Sequence, residues 1–289
     1  MLGIIGGSGV YHIEGLENSR WVKAESAFGE PSDEVLLAEL AGQTVAFLPR
    51  HGRGHRISPS DINFRANIDA LKRLGVTDII SVSAVGSLRE DLPPGTFVIV
   101  DQFIDRTFDR EKSFFGSGLV AHVSMAHPVC NRLGDHLFEA AKQLGIPVAR
   151  GGTYLVMEGM QFSSYAESEL YRSWKCDVIG MTNMPEAKLA REAEICYATV
   201  AMVTDFDCWH PEHENVTVDA IVNVLLSNAD KARALVKEVA HPVHSDEQAQ
   251  ACSCRSALQH AIITAPEARD AEMIEKLSAV AGRVLAINK

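Results

Sequence analysis

The 289-residue sequence is poor in positive charge. Its 27 lysines and arginines face 38 aspartates and glutamates, a formal net charge of −11. That balance argues against a nucleic-acid or anionic-membrane surface, since such partners need a basic face. No apolar run approaches the ~20 residues of a membrane span. The N-terminus enters Leu2-Gly-Ile-Ile5 with no basic region or cleavage site, so the cytoplasm is the expected location. Six cysteines in this length are not a secreted disulfide framework. Cys130, Cys176, Cys196 and Cys208 sit in or beside apolar stretches and read as buried thiols. Internal repeats, linkers and low-complexity segments are also missing. The glycine-rich stretch Gly6-Gly-Ser-Gly9 has neither dinucleotide spacing nor a P-loop lysine. It is left as a tight turn or an anion cradle of N–H groups and a hydroxyl.

What is present alternates between strand and helix patterns. Met1–Ile5 reads as a buried strand, and Val35–Leu40 with Gln43–Leu48 as a hairpin around Ala41-Gly42. Ser58, Pro59 and Asp61 predict a helix capped by Ser58, with Phe64, Ile68, Leu71 and Leu74 on one face and Gly75 as its stop. Thr77–Val82 is a strand leaving through a small-residue loop, Ser83–Ser87, and Thr96–Asp105 is another strand. Asp105–His127 is irregular and long, as functional loops often are. Strands are expected at Thr153–Met157 and Cys176–Thr182. Helices are expected over Asn131–Leu144, up to Trp174, from Pro185, and over Thr217–Val239, Ser245–His260 and Pro266–Val280. The alternation favours one α/β domain over residues 1–289: a mixed, largely parallel central sheet flanked by helices, with 266–289 as a C-terminal helical extension.

The chain is organised around Ile195–Asp207, a β-branched apolar run ending in two carboxylates, Asp205 and Asp207, on either side of Phe206. Ligands of open α/β sheets bind just outside the carboxyl ends of the strands. Four other strand exits carry chemistry: Ser8, Arg50-His51, Ser83-Ala84 and Thr182. Residues 50–56 hold three arginines and two histidines in an acidic chain, a concentration that favours anion binding over a solvated loop. Hydroxyls, a guanidinium and backbone amides suit inorganic phosphate. An unmatched aspartate suits a group that grows more basic as a reaction proceeds. Each signal alone is weak, and an isolated Asp-x-Asp reads more naturally as a loop or metal-ligand pair.

Taken in order, Ile4-Ile-Gly-Gly-Ser-Gly9, Pro49-Arg-His-Gly52, Ser83-Ala-Val-Gly-Ser-Leu-Arg-Glu90, Asp101-Gln-Phe-Ile-Asp-Arg-Thr107, Glu158-Gly-Met-Gln-Phe-Ser-Ser164, Met181-Thr-Asn-Met-Pro-Glu186 and Thr204-Asp-Phe-Asp-Cys-Trp209 resemble the 5′-methylthioadenosine phosphorylases of the trimeric purine nucleoside phosphorylase family. The resemblance runs over roughly residues 2–263 and covers 266–289 weakly. It implies a nucleoside phosphorylase-like fold and phosphorolysis of S-methyl-5′-thioadenosine to adenine and 5-methylthioribose 1-phosphate, in purine and methionine salvage. It further implies that Ser8, Arg50, His51, Ser83, the Ala84 backbone and Thr182 hold phosphate. Met181 would pack under the ribose, Phe162 would stack on the purine, and Asp205 and Asp207 would face N7 and the 6-amino group, with Asp205 the catalytic acid. Ser163, Val218 and Ile221 fall at specificity positions, and His122 matches a histidine that reaches a neighbouring subunit of a homotrimer. Phosphate would be a co-substrate, with no metal or organic cofactor.

An acid at position 205 argues for adenine over hypoxanthine, because a 6-amino group donates hydrogen bonds. Two departures stand out. Met160-Gln161 replaces the family's usual Pro-Arg, and Cys252-Ser-Cys254 resembles a Cys-x-Cys of archaeal members that use disulfides. The modest charged fraction, 22%, is unlike a hyperthermophile's, so the pair is expected as thiols on a C-terminal helix. The rival readings are a broader purine nucleoside phosphorylase accepting adenosine, inosine or methylthioinosine, a hydrolytic nucleosidase, and a non-catalytic purine- or phosphate-binding protein. Pure binding would not need both an anion half and an acid half.

Overall fold

Period-two burial along the strands sets the layers of the molecule. In the computed structural model, which describes residues 1–7, 13–211 and 218–285 (side chains of 218–223 and 225 excepted), the described residues form eleven strands in one sheet. They are β1 (Leu2–Gly6), β2 (Leu16–Val22), β3 (Val35–Leu40), β4 (Gln43–Pro49), β5 (Asp78–Ser87), β6 (Phe97–Ile99), β7 (Gln102–Asp105), β8 (Val148–Arg150), β9 (Thr153–Val156), β10 (Val178–Gly180) and β11 (Cys196–Asp205). The helices are α1 (Phe64–Arg73), α2 (Asn131–Gln143), α3 (Tyr165–Ser173), α4 (Asn183–Glu192), α5 (Val218–Ser245), α6 (Ala271–Lys276) and α7 (Ser278–Leu285).

On β11, Tyr197, Ala201 and Val203 face one way, into a core completed by α1, α4 and α7 through Ile68, Leu71, Leu189 and Val280. Cys196, Ala198, Val200 and Met202 face the other way, toward Leu133 and Leu137 of α2 and Leu235 and Val239 of α5. The mixed α/β architecture expected from the sequence is the one found. The C-terminal segment is no appendage. Leu277, Val280, Ala281 and Leu285 are buried in the main core, and Arg283 grips the buried Glu194 through Nε at 2.7 Å and Nη2 at 2.6 Å.

The strand order is β2-β3-β4-β1-β5-β10-β9-β7, with β11 also on β5 and β6 joining β11 to β8. The decisive feature is β5. Along one edge it keeps β11 in parallel register from Asp78 to Gly86. Along the other, β1 accompanies only Asp78–Ser81, and β10 joins antiparallel only at Gly86 and Ser87. Val82–Val85 therefore has a strand on one side alone, and the sheet parts there into a crevice.

Several local expectations are corrected. Ser83–Ser87 is strand, not loop, because β11 carries it to Gly86 and β10 pairs with Gly86 and Ser87. The first helix begins after Asn63, whose side chain accepts from the Ala66 N–H at 3.0 Å. Ser58 and Asp61 instead close a separate turn, hydroxyl to carboxylate at 2.6 Å. The run over 96–105 breaks at Val100-Asp101, where the Asp101 carboxylate accepts from the Gly152 N–H and the chain passes from β11 to β9. The helix expected over 245–260 is two short 3-10 turns, the first capped by Asp246, so Cys252 and Cys254 lie on turns. The segment from 266 is a turn followed by two short helices, with Asp270 capping the first of them. Strands β2 and β8 had no clear alternation to announce them.

The long segment after β7 is tied to α4 by Glu192, which accepts from Ser113 Oγ and the Phe114 N–H, both at 2.7 Å. Burial pushes this carboxyl from 4.5 up to about 7, with those hydrogen bonds pulling the other way. The folded state holds the proton more tightly than the unfolded chain. Its stabilising contribution is therefore complete below pH 4.5 and is lost as pH rises through about 7. Glu192→Gln should flatten that part of the stability–pH curve while costing about 1 kcal/mol at low pH for the lost acceptor. Urea unfolding at a series of pH values measures both; an unaltered slope would refute the assignment.

Candidate active site

The crevice opened by β5 is a cavity of about 660 Å³, within the range of small-molecule sites. Its wall includes Gly7 after β1, Arg50 and His51 after β4, Ser83, Ala84 and Gly86 of β5, Met181 and Thr182 after β10, and Asp205 and Asp207 at the end of β11. Thus the strand exits singled out in the sequence converge on one cavity, as far as they are described. Ser8 and the side chains of Val218 and Ile221 lie outside the described residues.

At one end Arg50 is only 1% exposed and sits at the centre of a polar network. Its Nε and Nη2 bind the Glu186 carboxylate at 2.8 and 3.1 Å, Nη2 also meets Ser81 Oγ at 2.6 Å, and Nη1 donates to the Val82 carbonyl at 3.1 Å. Ser81 and Tyr197 hydroxyls donate to the same Glu186 oxygen. Asn183 then links Tyr197, Thr199 and, through its Oδ1, the Ser83 hydroxyl. Among the described residues, Arg50 has little beyond one Nη1 hydrogen free for a ligand. It holds this end of the cavity together more than it reaches into it. Glu186 and Asn183 are the residues the sequence reading missed; their place inside Met181-Thr-Asn-Met-Pro-Glu186 was the available signal.

Better placed to bind is Thr182. It precedes α4, whose start is non-helical at Met184 (φ −120°, ψ 131°), it makes no capping bond, and its buried Oγ1 has no hydrogen-bond partner among the described residues. A hydroxyl left free beside an unpaired strand edge suits an anion. His51 Nδ1 lies 2.9 Å from the Ile57 carbonyl, which can only accept, so Nδ1 carries the proton and Nε2 is an acceptor. Burial, with Arg50 next, lowers this imidazole to about 4, leaving it neutral at pH 7.

At the other end the chain turns through Asp207, whose φ is +52°. Asp205 accepts from the Thr204 hydroxyl at 2.7 Å and from the Asp207 N–H at 2.8 Å. Burial raises both carboxyls above the ordinary range, and for Asp207 the neighbouring Asp205 charge adds to it. Asp207 Oδ2 is buried without a hydrogen-bond partner among the described residues. Such an atom is an acceptor awaiting a donor. Gly86 makes the close fit possible, since a Cβ there would stand 3.0 Å from Asp205 Oδ1 and 3.3 Å from the Asp207 Cβ.

Met160 and Phe162, 66% and 51% exposed, stand at the mouth, so the departure at Met160 lies on the cavity wall. Their loop is anchored by Glu158, which accepts from Ser60, the Phe108 N–H and Arg110. Burial alone would raise this carboxyl, but those bonds hold it down at about 2. Arg110 also donates to the Met181 and Met184 carbonyls, both at 2.7 Å, fixing the segment that carries Thr182. Ser163 is buried behind the wall, with its carbonyl accepting from Cys208 Sγ. His122 is exposed and belongs to a different hollow of about 400 Å³ with Lys112, Lys188 and Glu192. Within this chain it takes no part in the cavity.

The family model described as the phosphorylase superfamily matches residues 1–241. The S-methyl-5′-thioadenosine phosphorylase of Rhodospirillum rubrum is 67% identical over 285 residues, which is 99% of this chain and 97% of that protein. That alignment necessarily extends beyond residue 266, where the sequence resemblance had been weak. The enzyme of the same name from Cereibacter sphaeroides is 62% identical, over 99% of this chain and 98% of its own. Among solved structures, a methylthioadenosine phosphorylase from an Antarctic soil metagenomic library superposes with a TM-score of 0.92 at 51% identity, covering 96% of this chain and 98% of that one. A variant adenosine/methylthioadenosine phosphorylase of Schistosoma mansoni, bound to adenine, gives 0.83 at 36% identity, covering 89% and 96%.

Removing the Glu186 charge strands a guanidinium inside the protein. Glu186→Gln is expected to cost about 3–5 kcal/mol of stability, as for other broken buried pairs. Denaturant melts of the variant measure it, and a loss under about 1 kcal/mol would mean the pair is not buried in solution.

Proposed function

The chain belongs to the phosphorylase superfamily, and we propose that it cleaves S-methyl-5′-thioadenosine with inorganic phosphate, giving adenine and 5-methylthioribose 1-phosphate. The observation that carries this reading is a single cavity with an anion end at Thr182 and the Val82–Val85 edge and an acid pair at Asp205 and Asp207. The names of the similar proteins support it.

In this mechanism phosphate rests against the Ser83 hydroxyl, the Ala84 backbone, His51 and Thr182, with Ser8 of the glycine-rich stretch and Arg50 organising the set. Met181 packs under the ribose and Phe162 over the purine. The bond from the anomeric carbon to N9 breaks and its electron pair passes to the adenine. Asp205, whose protonated form burial favours, gives its proton to N7 as that charge arrives, while Asp207 accepts from the 6-amino group. A phosphate oxygen then bonds to the anomeric carbon, where oxocarbenium character has built up. A positioned acid of this kind contributes ~10²–10⁴-fold. No metal or organic cofactor enters these steps.

Ser163, Val218 and Ile221 are assigned to the 5′ side, and a homotrimer would let His122 reach a neighbour's cavity from its exposed position. A cytoplasmic place in purine and methionine salvage fits such chemistry, and no helix among the described residues is long and apolar enough to cross a membrane. A second reading, acceptance of adenosine as well, draws on the adenosine/methylthioadenosine name of the Schistosoma neighbour.

Incubation with methylthioadenosine, with and without phosphate, tests the reaction. Adenine and methylthioribose 1-phosphate should form only with phosphate; free methylthioribose in its absence would identify a nucleosidase instead. The ratio of kcat/KM for methylthioadenosine and adenosine separates the two specificities.

Asp205→Asn is expected to lower kcat about 10²-fold or more with the fold retained. Because the protonated carboxyl is the active form, wild-type kcat should fall as pH rises through its raised pKa, and the variant should lack that limb. Equal turnover of the two proteins removes Asp205 from the chemistry.

A further inference from the structure

At the far end of β5 and β11 from the cavity, four cysteines meet. The sulfurs of Cys130, Cys196, Cys252 and Cys254 all lie within 4.8 Å of one another, and Cys130 Sγ is 3.6 Å from Cys252 Sγ. Separate elements deliver them: Cys130 caps α2, Cys196 opens β11, and the other two sit on the turns after α5. Three are buried and Cys252 is half-buried. The Cys130 N–H donates to the Tyr197 carbonyl at 2.8 Å, which sets α2 against β11 at this point.

An isolated buried thiol behaves as a small hydrophobe. Cys176 does so, packed with Leu155, Tyr171 and Ile179. Four sulfurs turned on one another are a different arrangement. A tetrahedral ion at a Zn–S distance of about 2.3 Å places its sulfurs about 3.8 Å apart. The spacing found here brackets that value, and small rotations about the Cα–Cβ bonds would equalise it. The flanking residues also fit. Arg132 lies beside Cys196, Arg255 follows Cys254, and both guanidiniums meet Asp78. Nε of each is buried with no hydrogen-bond partner among the described residues. The Arg132 guanidinium against Cys196 is the kind of outer N–H contact that metal-bound sulfur uses.

We propose that Cys130, Cys196, Cys252 and Cys254 form a closed tetrahedral site for a thiolate-preferring divalent cation, zinc foremost. Binding converts four thiols and Zn²⁺ to a tetrathiolate complex of charge −2 and releases four protons. All positions around the ion are taken by protein, so it has no open place for substrate and acts as a clamp. It pins the turns of residues 246–260 to the sheet and to α2. Cys196 and Asp205 are separated by nine residues of extended strand, about 30 Å, so the clamp stands apart from the reaction.

Full-length protein produced with zinc in the medium and then desalted should carry about one zinc per chain by mass spectrometry of the metal. Cobalt in its place should show thiolate-to-metal charge transfer and intense tetrahedral d–d bands. Cys252→Ser with Cys254→Ser should abolish both signals, whereas Cys176→Ser should keep them. Stripping the metal with chelator should lower Tm while kcat below the melting range stays unchanged. Protein found oxidised is to be reduced and reconstituted with zinc before the measurement. The proposal is overturned if reduced wild-type protein takes up under about a tenth of an equivalent, with six thiols titrating. It is equally overturned if two disulfides re-form in preference to metal. The wild-type measurements decide the matter even if the serine variant fails to fold.

Discussion

The Arg50–Glu186 ion pair joins parts of the chain that are remote in sequence and adjacent in function. Neither partner has appreciable contact with water, so each would be expensive to bury alone. Together they draw in the Val82 carbonyl from β5, the Ser81 and Tyr197 hydroxyls, and the start of α4. The end of β4, the middle of β5 and the first turn of α4 are thereby held at fixed separation. The position of the unpaired β5 edge and of the Thr182 hydroxyl follows from that constraint. A buried charge pair is an uneconomical way to stabilise a core, and its value here lies in fixing geometry.

The two ends of the cavity differ in how they are made. Toward the end proposed for phosphate the groups on offer are backbone edge, a hydroxyl and a neutral imidazole, with the buried Arg50 already matched to Glu186. An acidic protein can accept an anion on these terms because the attraction is local. At the acid end two carboxyls sit close together, out of water, in a turn that a side chain at position 86 would push apart. Desolvation favours their protonated forms, and the hydrogen bonds that Asp205 accepts from the Thr204 hydroxyl and the Asp207 N–H offset this only in part.

Much of this was legible in the sequence where periodicity or a strand exit marked it. The hairpin of β3 and β4, α2 with its Leu133 and Leu137 stripe, and β11 ending in its acid pair were all announced by local pattern. What escaped depended on partners distant in sequence. Ser83–Ser87 has the composition of a loop and becomes strand because β11, and at its end β10, lie beside it. Ser58 and Asp61 make a capping pattern that closes on itself, and the helix waits for Asn63. Glu186 reads as an ordinary helical glutamate until Arg50, far upstream, is brought to it. Arg110 lay in a segment recognised only as long and irregular, although its guanidinium fastens the Met181 and Met184 carbonyls.

The gap between β1 and β10 has a consequence for how such a protein can diverge. Part of what faces the proposed phosphate is main chain, along Val82–Val85. Peptide groups are the same whatever residue carries them, so only a change to proline, which removes the N–H, deletes a donor there. The opposite end is written in side chains, two carboxylates and an aromatic ring, each replaceable in one mutational step. Descendants of this fold can therefore exchange one leaving group for another readily while their appetite for the attacking anion stays put.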